Sequence, residues 1–132
     1  MKTMTLIEYY EDQQHNKFLV IPYNNRVDYC KVSSDGSQTE PTIRTTKADF
    51  QIFRANQNWV ELNNVHRQEQ MKGLVKLYKI KGESNRICAI HSGGYVQWSI
   101  TIEGVPQNWL KTSNQSFEGQ WKDKLEEDVM TQ

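Results

Sequence analysis

The chain has 132 residues, a mass of 15.5 kDa, and 16 basic side chains (Lys plus Arg) balanced by 16 acidic ones. That length suits a single domain over residues 1–132, and the zero net charge excludes a global field that would steer the chain onto nucleic acid or an anionic membrane. With 36% hydrophobic residues the core is expected to be lean, and no apolar run approaches the roughly 18 residues of a membrane span.

The amino terminus, Met1-Lys2-Thr3-Met4, lacks a signal-peptide core with a small-residue cleavage site, so a cytoplasmic protein without membrane association is expected. Residues with A/T-rich codons (Phe, Tyr, Met, Ile, Asn, Lys) number 44, against 18 for Gly, Ala, Arg and Pro. A phage or mobile element is one source of such a composition.

In chain order, Thr3 to Tyr10, Lys17 to Tyr23 and Arg26 to Ser33 read as strands, broken by the polar stretch Glu11 to Asn16 and by Asn24-Asn25. Ser33 to Pro41 holds no apolar residue and reads as a surface loop. Thr42 to Thr46 favours a short strand. Thr46 followed three residues later by Asp49 has the form of a capping box, which predicts a short helix from Lys47 to about Ala55. Trp59 to Leu62 reads as a strand and Asn63 to Lys72 as an exposed loop or frayed helix.

Gly73 to Gly104 carries three strand patterns joined by Gly82 to Asn85 and by Gly93-Gly94. A tight hairpin at the double glycine sets Ser92 opposite Tyr95, His91 opposite Val96, Ala89 opposite Trp98 and Ile87 opposite Ile100. Across the other turn the same counting pairs Ile80 with Ile87, Tyr78 with Ala89 and Lys76 with His91. One face then carries Leu74, Tyr78, Ile80, Ile87, Ala89, Val96, Trp98, Ile100 and Ile102. The opposite face is mixed, with Val75, Leu77, Cys88 and Ile90, so one end of the sheet is covered on both sides. Past the Pro106 to Gln115 loop, Phe117, Trp121, Leu125 and Val129 recur at helical spacing and predict a carboxy-terminal helix capped by Asn114 or Ser116. The expected fold class is a β-rich α+β domain: a curled antiparallel sheet or small β-barrel of roughly six to eight strands with a C-terminal helix.

No catalytic residue set stands out: no nucleophile elbow, phosphate loop, dinucleotide-binding glycine pattern or His-Glu-x-x-His occurs. Cys30 and Cys88 are expected to be reduced and buried, and with His15, His66 and His91 dispersed, neither a metal nor another cofactor is expected.

The register gives one candidate ligand site, in which Lys76 beside His91 disfavours the imidazolium and, with the amides of Gly93 and Gly94, offers a place for an anionic group. Trp109 in a polar loop, with Tyr23 and Tyr10, supplies candidate partner contacts. The leading expectation is therefore a non-catalytic binding protein, a regulator or inhibitor that occupies a protein partner or sequesters a small ligand such as an anion. Homo-oligomers are compatible with the composition. Two alternatives stand beside it. Arg67, Lys72, Lys76, Lys79, Lys81 and Arg86 near Tyr78, Tyr95 and Trp98 resemble a single-stranded nucleic-acid or nucleotide surface. Glu61, His66, Arg67, His91 and Lys76 contain the residue types of a metal-independent ribonuclease.

Overall fold

The computed structural model describes residues 7–33, 38–62 and 74–128. The first half runs β1 (Glu8–Glu11), β2 (Lys17–Tyr23), β3 (Arg26–Val32), β4 (Ile43–Thr46), α1 (Lys47–Asn56) and β5 (Val60–Glu61). These strands form one antiparallel sheet in the order β4-β3-β2-β1-β5. The second half runs β6 (Val75–Ile80), β7 (Arg86–Ser92), β8 (Tyr95–Ile102), β9 (Val105–Pro106), β10 (Leu110–Ser113), α2 (Asn114–Trp121) and β11 (Leu125–Asp128). Its sheet has the order β10-β8-β7-β6-β11, with the short β9 paired to the far end of β8.

With β9 set aside, the halves share one topology: three consecutive strands, a fourth beside the third, a helix, and a fifth that returns to pair with the first. The correspondence reaches single residues. Thr46 caps α1 by accepting from the Asp49 amide, and Ser113 caps α2 by accepting from the Ser116 amide. The first helical amide in each half, Lys47 N–H or Asn114 N–H, donates at 2.9 Å to the preceding hairpin, at Asn25 O or Gly94 O. Phe50 and Phe117 are the buried aromatic of each helix, and Glu61 and Glu127 pair with Tyr10 and Tyr78 respectively. The chain is an internal structural duplication of a four-strand, helix, strand unit.

Strand alternation then dictates the layers. Tyr9, Leu19, Ile21, Cys30 and Val32 of the first sheet meet Val75, Leu77, Cys88 and Ile90 of the second in a central core. The opposite pleats face outward. Tyr10, Phe18, Val20 and Val27 are covered by Phe50 of α1 and by Trp59, whose ring stacks on Phe18 at 3.6 Å. Ile87, Ala89, Val96 and Trp98 are covered by Phe117 of α2. The result is four layers, helix on sheet on sheet on helix, and the double covering read from Val75, Leu77, Cys88 and Ile90 is the second sheet buried on both faces.

The β-rich α+β class holds, with two stacked antiparallel sheets and, among the described residues, no closed barrel; eleven strands are described because several are only two to four residues long. The helix after Thr46 and the double-glycine register hold as well: Ser92 faces Tyr95, His91 faces Val96 and Ala89 faces Trp98. Three expectations are corrected. Across the β6–β7 turn, Tyr78 pairs with Ile87 and Lys76 with Ala89, because the Lys81 amide bonds Lys124 O at 2.9 Å and the turn widens to begin after Lys79. The carboxy-terminal helix stops at Trp121; Asp123 adopts a positive φ of 59°, and Leu125–Asp128 becomes the strand that fills the open edge of β6. Leu74 packs into the central core and Ile102 is exposed, so neither joins the face beneath α2. The strand beginning at Thr3 and the loop from Asn63 to Lys72 lie in part or whole outside the described residues.

Equivalent roles predict equivalent costs. Thr46→Ala and Ser113→Ala should each lower stability by about 1 kcal/mol, and Phe50→Ala and Phe117→Ala each by about 3–5 kcal/mol, in urea unfolding. A half whose cap and buried phenylalanine can both be removed at no cost would not be playing the part assigned to it.

Candidate functional site

Along β3, the pleat that sends Cys30 and Val32 into the central core sends Asp28 there too, and its side chain is 0% exposed. An ionised carboxylate in such a place requires partners on nearly every lone pair. Four bonds supply them: Tyr23 Oη–H donates to Oδ1 at 2.8 Å, Arg44 Nε–H to Oδ1 at 2.9 Å, Arg44 Nη2–H to Oδ2 at 3.1 Å, and Trp109 Nε1–H to Oδ2 at 2.7 Å. Tyr23, Asp28 and Arg44 stand on the three neighbouring strands β2, β3 and β4. Trp109 belongs to the other half.

Arg44 extends this polar centre outward. Its Nη2 also donates to Gln107 O at 2.7 Å and Pro106 O at 3.2 Å, and its guanidinium lies 5.6 Å from the Tyr23 ring centroid. The Asp28 carboxylate beside it raises the Arg44 pKa, and burial followed by the hydrogen bond to Asp28 raises that of the Tyr23 phenol. Both groups therefore keep their protons throughout the physiological range. The outer side of this arrangement is an open cleft of about 380 Å³ lined by Tyr23, Asn24, Asn25, Arg26, Arg44, Val105, Pro106 and Gln107. Residues of both halves contribute to it.

The duplication gives this centre a counterpart. Gln97 occupies in β8 the place that Asp28 holds in β3, and it is likewise buried. It accepts from Thr42 N–H at 3.0 Å and Thr42 Oγ1–H at 2.8 Å, and donates to Thr39 Oγ1 at 2.6 Å and Glu40 O at 2.8 Å. Each half thus pins the loop entering the other half's fourth strand: Asp28 takes Trp109, and Gln97 takes Thr42. The two hairpin mouths differ in content. Where the first has Tyr23, Asn24, Asn25, Arg26 and Arg44, the second has Ser92, Gly93, Gly94, Tyr95 and Lys111. Ser92 there meets Thr39 Oγ1 at 3.2 Å, while the Asn114 side chain donates to Gly93 O at 2.7 Å.

The residues singled out by sequence fall as follows. Tyr10 and Tyr23 are buried at 3% and 5% exposure, Tyr10 against Phe50 with its hydroxyl on Glu8 Oε1, Tyr23 in the Asp28 network. Trp109 is half-buried and serves the same network, so these three side chains form no common surface patch. Lys76 and His91 share a face but sit diagonally, since His91 has Leu74 across from it and donates its backbone N–H to Leu74 O. His91 Nε2 instead bonds Tyr78 Oη at 3.0 Å, and the imidazole meets the Phe117 ring edge to face at 6.0 Å. Gly93 has a positive φ of 56°, as the tight turn requires. Glu61 lies on β5 in the first sheet and His91 on β7 in the second, and His66 and Arg67 lie outside the described residues. Trp98 and Tyr78 are turned under α2, away from any exposed stacking surface. Among the described residues no group of three or more His, Cys, Asp or Glu side chains could hold a metal, and no described helix is long and apolar enough to cross a membrane. Cys30 and Cys88 are free thiols, and burial pushes both up to about 12.

Sequence reasoning passed over Asp28, Arg44, Arg26 and Gln107. A signal for Asp28 was present, because the alternation of β3 places its carboxylate on the inward pleat with Cys30 and Val32. Nothing local signals that Arg44 and Trp109 converge on it.

Burial, followed by the ammonium of Lys76, lowers the His91 pKa; Glu127 and Glu118 oppose this. A lowered folded-state pKa means that the unfolded chain binds the proton more readily. The stabilisation is therefore complete above the ordinary histidine pKa near 6.5 and is lost as pH falls below it. Between pH 7.5 and 5.5 the wild type should lose more melting temperature than His91→Gln; equal losses would remove His91 as a source of acid sensitivity. No family model, curated protein or solved structure matches this chain.

Proposed function

We propose that the chain is a binding protein for a small anion, which it holds in the cleft between the Tyr23–Arg26 hairpin, Arg44 and the 105–107 segment. The observation that carries this reading is the fixation of Arg44: Asp28 and two backbone carbonyls hold its guanidinium from both halves, so little side-chain entropy remains to be lost when a ligand arrives. Arg26 at the rim adds a second cation, and the side-chain amides of Asn24, Asn25 and Gln107 add neutral donors. A carboxylate or phosphate oxygen is the natural partner for such a set. The ligand chemistry expected at the Gly93–Gly94 hairpin is thus proposed for the equivalent hairpin of the other half, where the cleft is open and the arginines are present.

The test is a titration of isotope-labelled protein with sodium acetate and sodium phosphate at low ionic strength, followed by NMR. The backbone amides of Asn25 and Arg26 and the indole N–H of Trp109 should shift together. Arg26→Gln should weaken the response about ten-fold, the loss expected for one charge-assisted bond. Titrations that leave these resonances unmoved, or that are identical in Arg26→Gln, would refute the proposal.

A further inference from the structure

We infer that the ligand of this cleft is an oligophosphate, a chain of linked phosphoryl groups that reaches from Arg26 and Arg44 toward Arg86, an inference that rests on the anion reading above. The second sheet supplies the reason. Lys79, Arg86, Thr101 and Pro106 are successive cross-strand neighbours on β6, β7, β8 and β9. Such neighbours project to one face, and Leu77 and Cys88, each two positions away along its strand, fix that face as the one turned toward the first sheet. The row passes the end of the central core and finishes at Pro106, which lines the cleft and whose carbonyl accepts from Arg44 Nη2 at 3.2 Å. Arg86 is half-buried and Lys79 exposed. At the usual strand spacing, the Arg86 backbone stands roughly 10 Å from that of Pro106, a gap that an arginine side chain and a ligand chain can close between them.

The duplication shows that the fold does not ask for these cations. The corresponding row of the first half is Glu11, Lys17, Val32 and Thr39, in which acid and base form an ion pair at 3.9 Å. In the second half Lys79 stands where Glu11 does, so two cations lie side by side at the end that opens on the arginines. Like charges in that relation repel, and an anion lying across them relieves the repulsion. Glu126 of β11 neighbours Lys79 on its far side, so Glu126, Lys79 and Arg86 together carry one net positive charge. Asp28 offsets one of Arg26 and Arg44, which leaves a second positive charge in the cleft. Around the turns of the same end, Lys47 and Lys81 balance Glu83 and Glu103. Two cationic centres set apart along one pleat call for linked anionic groups rather than a single one.

A nucleoside would add little. The Tyr23 ring is buried under the Arg44 guanidinium, and the Trp109 indole is engaged with Asp28, so neither offers an open face for stacking a nucleobase. The volume, about 380 Å³, lies at the small end of the usual range for ligand sites.

The experiment extends the same titration to inorganic phosphate, tripolyphosphate and ATP at one ionic strength. Tripolyphosphate should bind about ten-fold tighter than phosphate, the gain expected for one further charge-assisted contact, and ATP should bind no tighter than tripolyphosphate. Arg86→Gln should remove most of the ten-fold gap, and Lys79→Gln, at an exposed position, part of it. Lys111→Gln, which lowers the net charge equally at the other hairpin mouth, should leave the gap intact. Equal affinity for phosphate and tripolyphosphate, a gap that survives both Arg86→Gln and Lys79→Gln, or an equal loss in Lys111→Gln would overturn the inference while leaving an anion site in place. Tighter binding of ATP than of tripolyphosphate would overturn it too, in favour of a nucleotide. If neither phosphate nor tripolyphosphate moves the amides of Asn25 and Arg26, the anion reading itself fails.

Discussion

A carboxylate lies where two sheets meet, and the rest of the structure is arranged to make that tolerable. Asp28 has no contact with water, so its charge is held by donors from the two flanking strands and by one indole from the opposite half. Removing a single partner of such a group leaves charge or hydrogen-bonding capacity stranded, which is far more costly than never having placed it there. The central core between the sheets is apolar and non-directional; Leu19, Ile21, Cys88 and Ile90 could tolerate a slide of one sheet over the other with modest loss. Asp28 with Trp109, and Gln97 with Thr42, could not. Direction and register between the sheets come from these two polar pins, one given by each half to the other.

The duplication also separates what the fold needs from what the cleft needs. Positions filled alike in both halves have structural duties: Thr46 and Ser113 as caps, Phe50 and Phe117 as helix anchors, Val27 and Val96 beneath them, Tyr10 and Tyr78 opposite the acidic residue of the fifth strand. The two hairpin mouths are filled differently. Tyr23, Asp28, Arg26 and Arg44 face counterparts Ser92, Gln97, Tyr95 and Lys111, so one mouth has charge and an opening, whereas the other spends its polar groups on contacts between Ser92 and Thr39 and between Asn114 and Gly93.

Much of the local architecture was legible in the sequence, for reasons that lie in short-range geometry. Gly93-Gly94 accepts the positive φ of a tight turn and so determines every pairing from Ser92–Tyr95 to Ile87–Ile100. Thr46 three residues before Asp49 announces a helix start, and the helix is there. The failures share a different cause. The β6–β7 register depended on Lys81 finding its partner at Lys124, far along the chain, and the stripe Trp121, Leu125 broke because a free sheet edge competed with another turn of helix. Trp109 looked like a loose anchor because its partner Asp28 is invisible from its own neighbourhood. The duplication escaped notice for a related reason: Ile43 to Phe50 and Leu110 to Phe117 agree in chemical type at most positions but in identity at few. The similarity becomes plain only once both segments are seen to follow the same strand and cap the same helix.

If the reciprocal pins make the two halves one cooperative unit, native-state hydrogen exchange should report a single opening free energy for the slowest amides of β2 (Leu19 to Ile21) and β7 (Cys88 to Ile90). Trp109→Phe, which keeps an aromatic ring but deletes the donor to Asp28, should lower both by the same amount, about 1–2 kcal/mol. Loss of protection confined to one of the two strands, with the other keeping its wild-type value, would contradict the account.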